Sequence, residues 1–322
     1  MITVLKRSNL LMLLFGLSLY GIGCSDNSDS LTADEASIQE EIETDAEEIY
    51  GVDIMNEEDP SNFATTASES DVLAKSMSPI EPFAYGRKLR NRVIERHRLQ
   101  FEFAGDGQTA EAMITYRLRG QFVIRTRDSS SNTRGFYFKP FDHMMQRKVR
   151  FVRNQDTTAE RKWLRNGISP AYGISEGGTL SLTGSIAIHI THDGTETTYT
   201  INDPLNYFFT DQTSLPTVQP GDEVRIEIAI ANSNADDAPY GIVHRGRNKA
   251  HLGRVKTIFN DEGVDGDAVS GDGVYTVKWT VENNGVTGNH IGVVDFFSHS
   301  TVFDSEAPYN SLVVALPYNK VQ

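Results

Sequence analysis

The chain has one cysteine, Cys24, in 322 residues. That excludes an internal disulfide, so whatever folds must be held by its core. Signatures of common catalysis are missing too: there is no His-Glu-x-x-His, no Gly-x-Ser-x-Gly and no phosphate-binding loop. The eight histidines are scattered. His189 and His192 are three apart near a turn, on opposite faces of a regular strand, which is a poor start for a shared metal. "FDH" (141–143) and "FFSHSTVFD" (296–304) hold Asp, Ser and His, but no third group is placed to orient a base. No catalytic residue and no enzymatic activity are expected. A hydrolase with a site unrecognisable from sequence is the residual alternative.

Positive charge is nearly absent from one segment. Residues 25–80 carry sixteen acidic side chains against the single Lys75. Like charge at this density, with few aromatics, favours a disordered linker. As a flexible coil, a segment of this length reaches on the order of 40 Å. Within it, Thr32-Ala-Asp-Glu35 fits a capping box, and Ile38, Ile42, Ala46 and Ile49 fall on one helical stripe. A docking helix and a transient one both fit that pattern. The segment accounts for the net charge of −14. The rest of the chain is split, with 19 basic and 9 acidic residues over 81–165 and 8 and 19 over 166–322. Such asymmetry marks either a basic docking surface or two halves that attract each other.

The chain opens with "MITVLKRSNLLMLLFGLSLYGIGCSDNSDS". Lys6 and Arg7 make a positive n-region, and the eleven-residue apolar run Leu10–Tyr20 suits a signal peptide, being too short to span a bilayer. Small residues then precede Cys24. The arrangement resembles the signal of a bacterial lipoprotein, in which the cysteine is lipidated and becomes the mature amino terminus. Gly21 departs from the family, which usually has Leu three residues before the cysteine. Ordinary cleavage after the small-x-small Gly21-Ile22-Gly23 is the rival reading. Ser25, in place of Asp, resembles an outer-membrane destination. The resemblance implies a membrane partner, reached through acyl chains on Cys24.

From Tyr85 onward the pattern has period two. Leu99, Phe101 and Phe103 alternate; so do Ile114, Tyr116 and Leu118 before Gly120, and Phe122 and Ile124 after it. "GTLSLTGSIAIHITHDGTETTYTI" reads as a hairpin turning at Asp193-Gly194. "PGDEVRIEIAIAN" turns Val224, Ile226, Ile228 and Ile230 inward. Further strands fit near 255–259, 274–281, 291–297 and 311–316. Many short strands with polar turns predict an all-β fold, with two β-sandwich-like domains after the acidic linker. "PGDEVRIEIAI" (220–230), "GDAVSGDGVYTVKWTV" (266–281) and "APYNSLVVALPY" (307–318) resemble prokaryotic immunoglobulin-like or fibronectin-like domains. Residues 81–215 resemble only uncharacterised lipoproteins. The expected divisions are a signal peptide (1–23), the lipidated cysteine and linker (24–80), a basic β-rich domain (81–215) and an immunoglobulin-like sandwich (216–322).

Three constellations bear on binding. Arg117 and Arg119 share a strand face, as do Arg125 and Arg127; if two strands pair across Gly120, four guanidiniums share one surface. They could meet phosphate groups, an anionic polysaccharide, the chain's own acidic half, or simply solvent and local carboxylates. "NDEGVDGDAVSGDGVY" (260–275) crowds Asp261, Asp265, Asp267 and Asp272 together. An EF-hand template fails, because Gly263 takes the third position, Asp272 the twelfth, and the flanks read as strands. A structural calcium ion in a sandwich loop, or a metal-free loop in which Asp accepts backbone N–H groups and Gly supplies positive φ, both account for it. Trp163 and Trp279 suit a sugar platform or core packing. The expected function is a lipid-anchored envelope protein that binds or scaffolds without catalysis. Its partners are the membrane, an envelope polysaccharide or another envelope protein, with no nucleic acid. The alternative is a calcium-stabilised carbohydrate-binding or adhesive module.

Overall fold

Alternation with period two governs most of the chain, and the strands it produces assemble into two sheets. The computed structural model describes residues 32–44, 78–89, 95–127, 134–210, 214–246, 254–283 and 287–322. Cys24, Ala46 and Ile49 lie outside them. The described residues are predominantly strand, as expected of an all-β chain.

The larger sheet contains β1 (Pro82–Leu89), β2 (Glu95–Phe103), β3 (Thr109–Arg127), β4 (Arg134–Arg153), β5 (Trp163–Ile168) and β6 (Ala171–Ser175). It continues without a break into β15 (Ser311–Lys320), β14 (Gly288–Ser298), β11 (Pro239–Gly246) and β12 (Arg254–Ile258), while β9 (Thr217–Val218) pairs with β15. The smaller sheet has the order β13-β10-β7-β8, made of β7 (Leu180–His192), β8 (Thr195–Ile201), β10 (Glu223–Asn232) and β13 (Val274–Thr280). The β7–β8 hairpin turns at Asp193 (φ 46°) and Gly194 (φ 79°), the mirror-image turn whose twist matches its strands.

Two cores result, on opposite faces of β14 and β15. Val294, Phe296, Leu312, Val314 and Leu316 face the smaller sheet, where they meet Ile186, Ile188, Val224 and Ile226. Val293, Phe297, Val313 and Ala315 face the other way, into a core with Tyr85, Phe122, Phe141, Met145 and Trp163. A strand covered on both faces loses its alternation and becomes a continuous apolar run. This explains "GVVDFF" and "SLVVAL", which do not read as half-exposed strands.

Three expectations are corrected. First, Gly120 is no turn: β3 runs straight through it, paired with β4 from Thr109↔Val152 to Arg127↔Arg134. A Cβ at Gly120 would stand 2.0 Å from the Lys88 carbonyl oxygen and 2.8 Å from the Phe141 ring. The glycine therefore lets β1 and Phe141 approach the strand. Second, strand pairing ignores the 215/216 division. β10 lies between β13 and β7, and β6 pairs with both β4 and β15.

Third, part of the expected linker is ordered. Helix α1 (Ala33–Thr44) begins at the capping box, with Thr32 N donating to Glu35 Oε2 at 2.7 Å and Glu35 N to Thr32 Oγ1 at 3.3 Å. Ile38 and Ile42 are fully buried in the first core. Asp34 accepts from Arg153 Nη2 at 2.7 Å and from Trp163 Nε1 at 3.2 Å, and Arg161 lies 3.2 Å from Glu41. Ile38 and Ile42 of the stripe dock on the chain's own body, and acidic helix meets basic sheet. A short α2 (His299–Phe303) follows β14.

Candidate functional site

Arg87 is the odd residue on β1: Tyr85, two positions earlier on the same face, is a core residue, and the Arg87 guanidinium is buried with it. Two of its nitrogens bind the two carboxylate oxygens of Asp295. Its Nε donates to Tyr309 Oη at 2.6 Å, and Nη2 donates to Ser311 Oγ at 2.7 Å. The Phe297 ring lies 4.8 Å beneath. Burial works against the charge on Asp295, but the Arg87 charge and hydrogen bonds outweigh it and hold the carboxyl near 2. Burial also pushes Tyr309 up to about 12. His143 lies 3.2 Å from Ser311 Oγ through Nε2. Burial, helped by the Arg87 charge, drives its pKa down to about 3.

Ser311, His143 and Asp295 are thus neighbours, but not in a relay. The serine hydroxyl accepts from Arg87 and donates to Asp295 at 3.2 Å, and Ser311 and Asp295 are each 1% exposed. A nucleophile needs a base facing it and a third group orienting that base. Here the polar atoms converge on a buried cation instead, and the group fastens β1 to β14 and β15.

The outward face above this core carries Arg117, Arg119 and Arg125 of the predicted arginines. Arg117 and Arg119 flank Asp142, which takes a hydrogen bond from Arg117 Nη2 at 2.5 Å and one from Arg119 Nε at 2.9 Å. Arg117 also reaches Glu176 at 2.7 Å. Asp142 is partly buried, which raises its pKa, but both arginines more than reverse this. Arg125 stands further along the strand, 5.5 Å from the Phe136 ring. Arg127 ends the strand, at the Arg134 register position. The face is therefore mixed in charge, and its far end is aromatic: Phe136 and Phe138 are 50% and 60% exposed, with rings nearly parallel and 6.5 Å apart.

Between these features lies a cleft of about 820 Å³. Lys88, Arg119, Gln121, Asp142 and Glu176 supply its polar lining, and Phe141 and Tyr309 its aromatic part. Two cations face two carboxylates with an amide beside them. Such a lining offers alternating donors and acceptors instead of one sign of charge. Sequence reasoning located Arg119, and met Asp142 only within "FDH"; it missed Lys88, Gln121 and Glu176, which come together only through pairing of β1, β3, β4 and β6.

Of the four aspartates in the loop before β13, Asp261, Asp267 and Asp272 bring one carboxylate oxygen each within 4.8 Å of one another. Asp265 stands apart from that group, at φ 51°. The clustered oxygens already serve as acceptors. Asp261 takes the N–H groups of Gly271, Asp272 and Gly273 at 2.9–3.1 Å. Asp267 takes Gly263 N–H at 2.6 Å, and Asp272 takes Val274 N–H at 2.9 Å. Burial raises the Asp261 pKa, and nearby Asp267 adds to the rise. These bonds account for the aspartates as turn-forming residues; a calcium ion would have to share both Asp261 oxygens with backbone donors.

The remaining candidates disperse. His189 sits 3.0 Å from Thr198 Oγ1, and His192 sits 2.8 Å from Asp222 on the other face of the strand. Trp163 is completely buried beside α1, and Trp279 lies under the Arg245 guanidinium at 4.6 Å.

Neither a protein-family model nor a curated protein matches this chain. Among solved structures, the FN1–FN3 domains of chicken CNTN1 overlap 71% of this chain and 100% of their own, at 10% identity and a TM-score of 0.15. An overlap that loose carries no argument about fold or function.

Proposed function

We propose that this is a lipid-anchored cell-envelope protein that binds without catalysing, and that it holds an envelope polysaccharide in the cleft over β3 and β4. The supporting observation is the cleft's polar lining: balanced charges and an amide. Sugar hydroxyls both donate and accept, which suits side chains of both kinds. The anchor belongs to the same reading and rests on the lipoprotein-like signal before Cys24; the immunoglobulin-like reading rests instead on the motifs at 220–230, 266–281 and 307–318. The exposed Phe136–Phe138 pair favours a second contact, with another envelope protein beside the cleft.

Two experiments test this. Co-sedimentation of the mature protein with purified cell-wall polysaccharide is expected to weaken about tenfold on Arg119→Ala, a loss of one charge-assisted hydrogen bond. Equal sedimentation of both proteins removes the cleft. Radiolabelled palmitate is expected to enter the wild type and not Cys24→Ala; equal labelling removes the anchor.

A further inference from the structure

The two sheets do not close fully at one end of the sandwich. Between them, away from the β3–β4 cleft, lies a cavity of about 110 Å³. Its wall is aliphatic, built from Ile188, Ile190, Val224, Ile226, Val294 and Leu316. Arg245 enters the same space because it follows Val243 by two positions on β11 and so shares its face. The guanidinium is fixed: Trp279 lies 4.6 Å away on one side, and Nη2 donates to Thr257 Oγ1 at 3.1 Å. Its Nε is buried and has no hydrogen-bond partner. Burial lowers the pKa of this arginine, with Glu282 and Tyr318 opposing. Lys320 also lines the cavity, so among the described lining residues two cations stand against one acid, Glu282.

We propose that this cavity binds a short aliphatic chain ending in a carboxylate. The tail lies among the isoleucines and valines, and the head lies against the Arg245 guanidinium that lines the cavity. An apolar cavity of ~150 Å³ is large enough to take benzene, so this one holds a chain of a few carbons. A carboxylate matches the planar fork of a guanidinium better than any neutral head group. The surplus of positive charge at the lining selects an anion over an alcohol.

The test is a titration of the full-length protein with butanoate, hexanoate and hexan-1-ol, followed by isothermal calorimetry and by Trp279 fluorescence. Hexanoate is expected to bind about tenfold more tightly than hexan-1-ol and more tightly than butanoate, by about fourfold for each methylene buried. Arg245→Met keeps the aliphatic stem and removes the charge; it is expected to cost hexanoate about tenfold and leave hexan-1-ol unchanged. Gly292→Val provides a second variant that folds. A Cβ there meets only Leu316 and Tyr318 at 3.7 Å or more, so the added methyls fill the cavity and binding is lost. Hexanoate binding that survives both substitutions overturns the proposal, as does equal binding of acid and alcohol. Short-chain phosphatidic acid binding in place of hexanoate overturns the assignment to a free carboxylate.

Discussion

Arg87 and Asp295 lie 208 positions apart in the chain and meet inside the core through two nitrogens and two oxygens. They come from the basic and the acidic halves, so the charge asymmetry of the sequence ends in one buried pair. Removing one partner leaves the other charged and dry. Arg87→Met or Asp295→Asn is expected to cost about 3–5 kcal/mol in urea unfolding, whereas the double Arg87→Met/Asp295→Leu costs less than either single change. Simple additivity of the two single losses would show that the pair is not coupled.

Acid sensitivity follows from the same cluster. His143 has a folded pKa of about 3 against 6.5 for the free group. Between those values the unfolded chain binds the proton and the folded one refuses it. Stability is therefore full above pH 6.5 and falls on acidification, by up to about 1.4 kcal/mol per pH unit for one proton. Asp295, near 2 against 3.8, adds a loss as pH drops from 3.8 toward 2. Chemical unfolding measured from pH 7 to pH 4 is expected to show this slope, and His143→Asn is expected to flatten it. An unchanged slope in the variant would place the titration elsewhere.

Docking of α1 depends on Ile38 and Ile42, both fully buried. Ile42→Asp puts a charge into that contact and is expected to release the helix while the sheets remain. Trp163 then meets water. In a Trp279→Phe background, its emission is expected to shift to longer wavelength, and amides 33–44 are expected to lose hydrogen-exchange protection. Ile42→Ala is a milder case, costing about 2–5 kcal/mol.

The loop at Asp261 is expected to hold without metal. Asp261→Ala strands three backbone donors, at about 1 kcal/mol or more each. The melting temperature is expected to fall by the same amount in calcium and in chelator, and calcium is expected to leave the wild type unchanged. A rise of several degrees with calcium would mean that the aspartates hold an ion.

Strands and turns were legible because period two, Asp-Gly and Pro-Gly act locally. Partners were not. A glycine between two alternating runs reads as a break, and nothing near Gly120 in sequence announces that the Lys88 carbonyl needs the space. The 215/216 division failed for a related reason: β7 and β8 precede it, yet their mates β10 and β13 follow it. One signal was present and readable. Asp295 stands alone in "GVVDFF", and a charge inside an apolar run requires a buried partner. The cleft was not legible, since its lining comes from four strands and from Pro308 and Tyr309 far downstream.

The seating of α1 changes what an acyl group on Cys24 would control. Only residues 25–31 separate that cysteine from Thr32, and a fully extended stretch of that length covers no more than roughly 28 Å. The body would ride close above the lipid with its β5 side turned down, like a boat moored short at the bow. Release of the helix would pay out the remaining line, so that the seating of one short helix would set the altitude of the whole molecule.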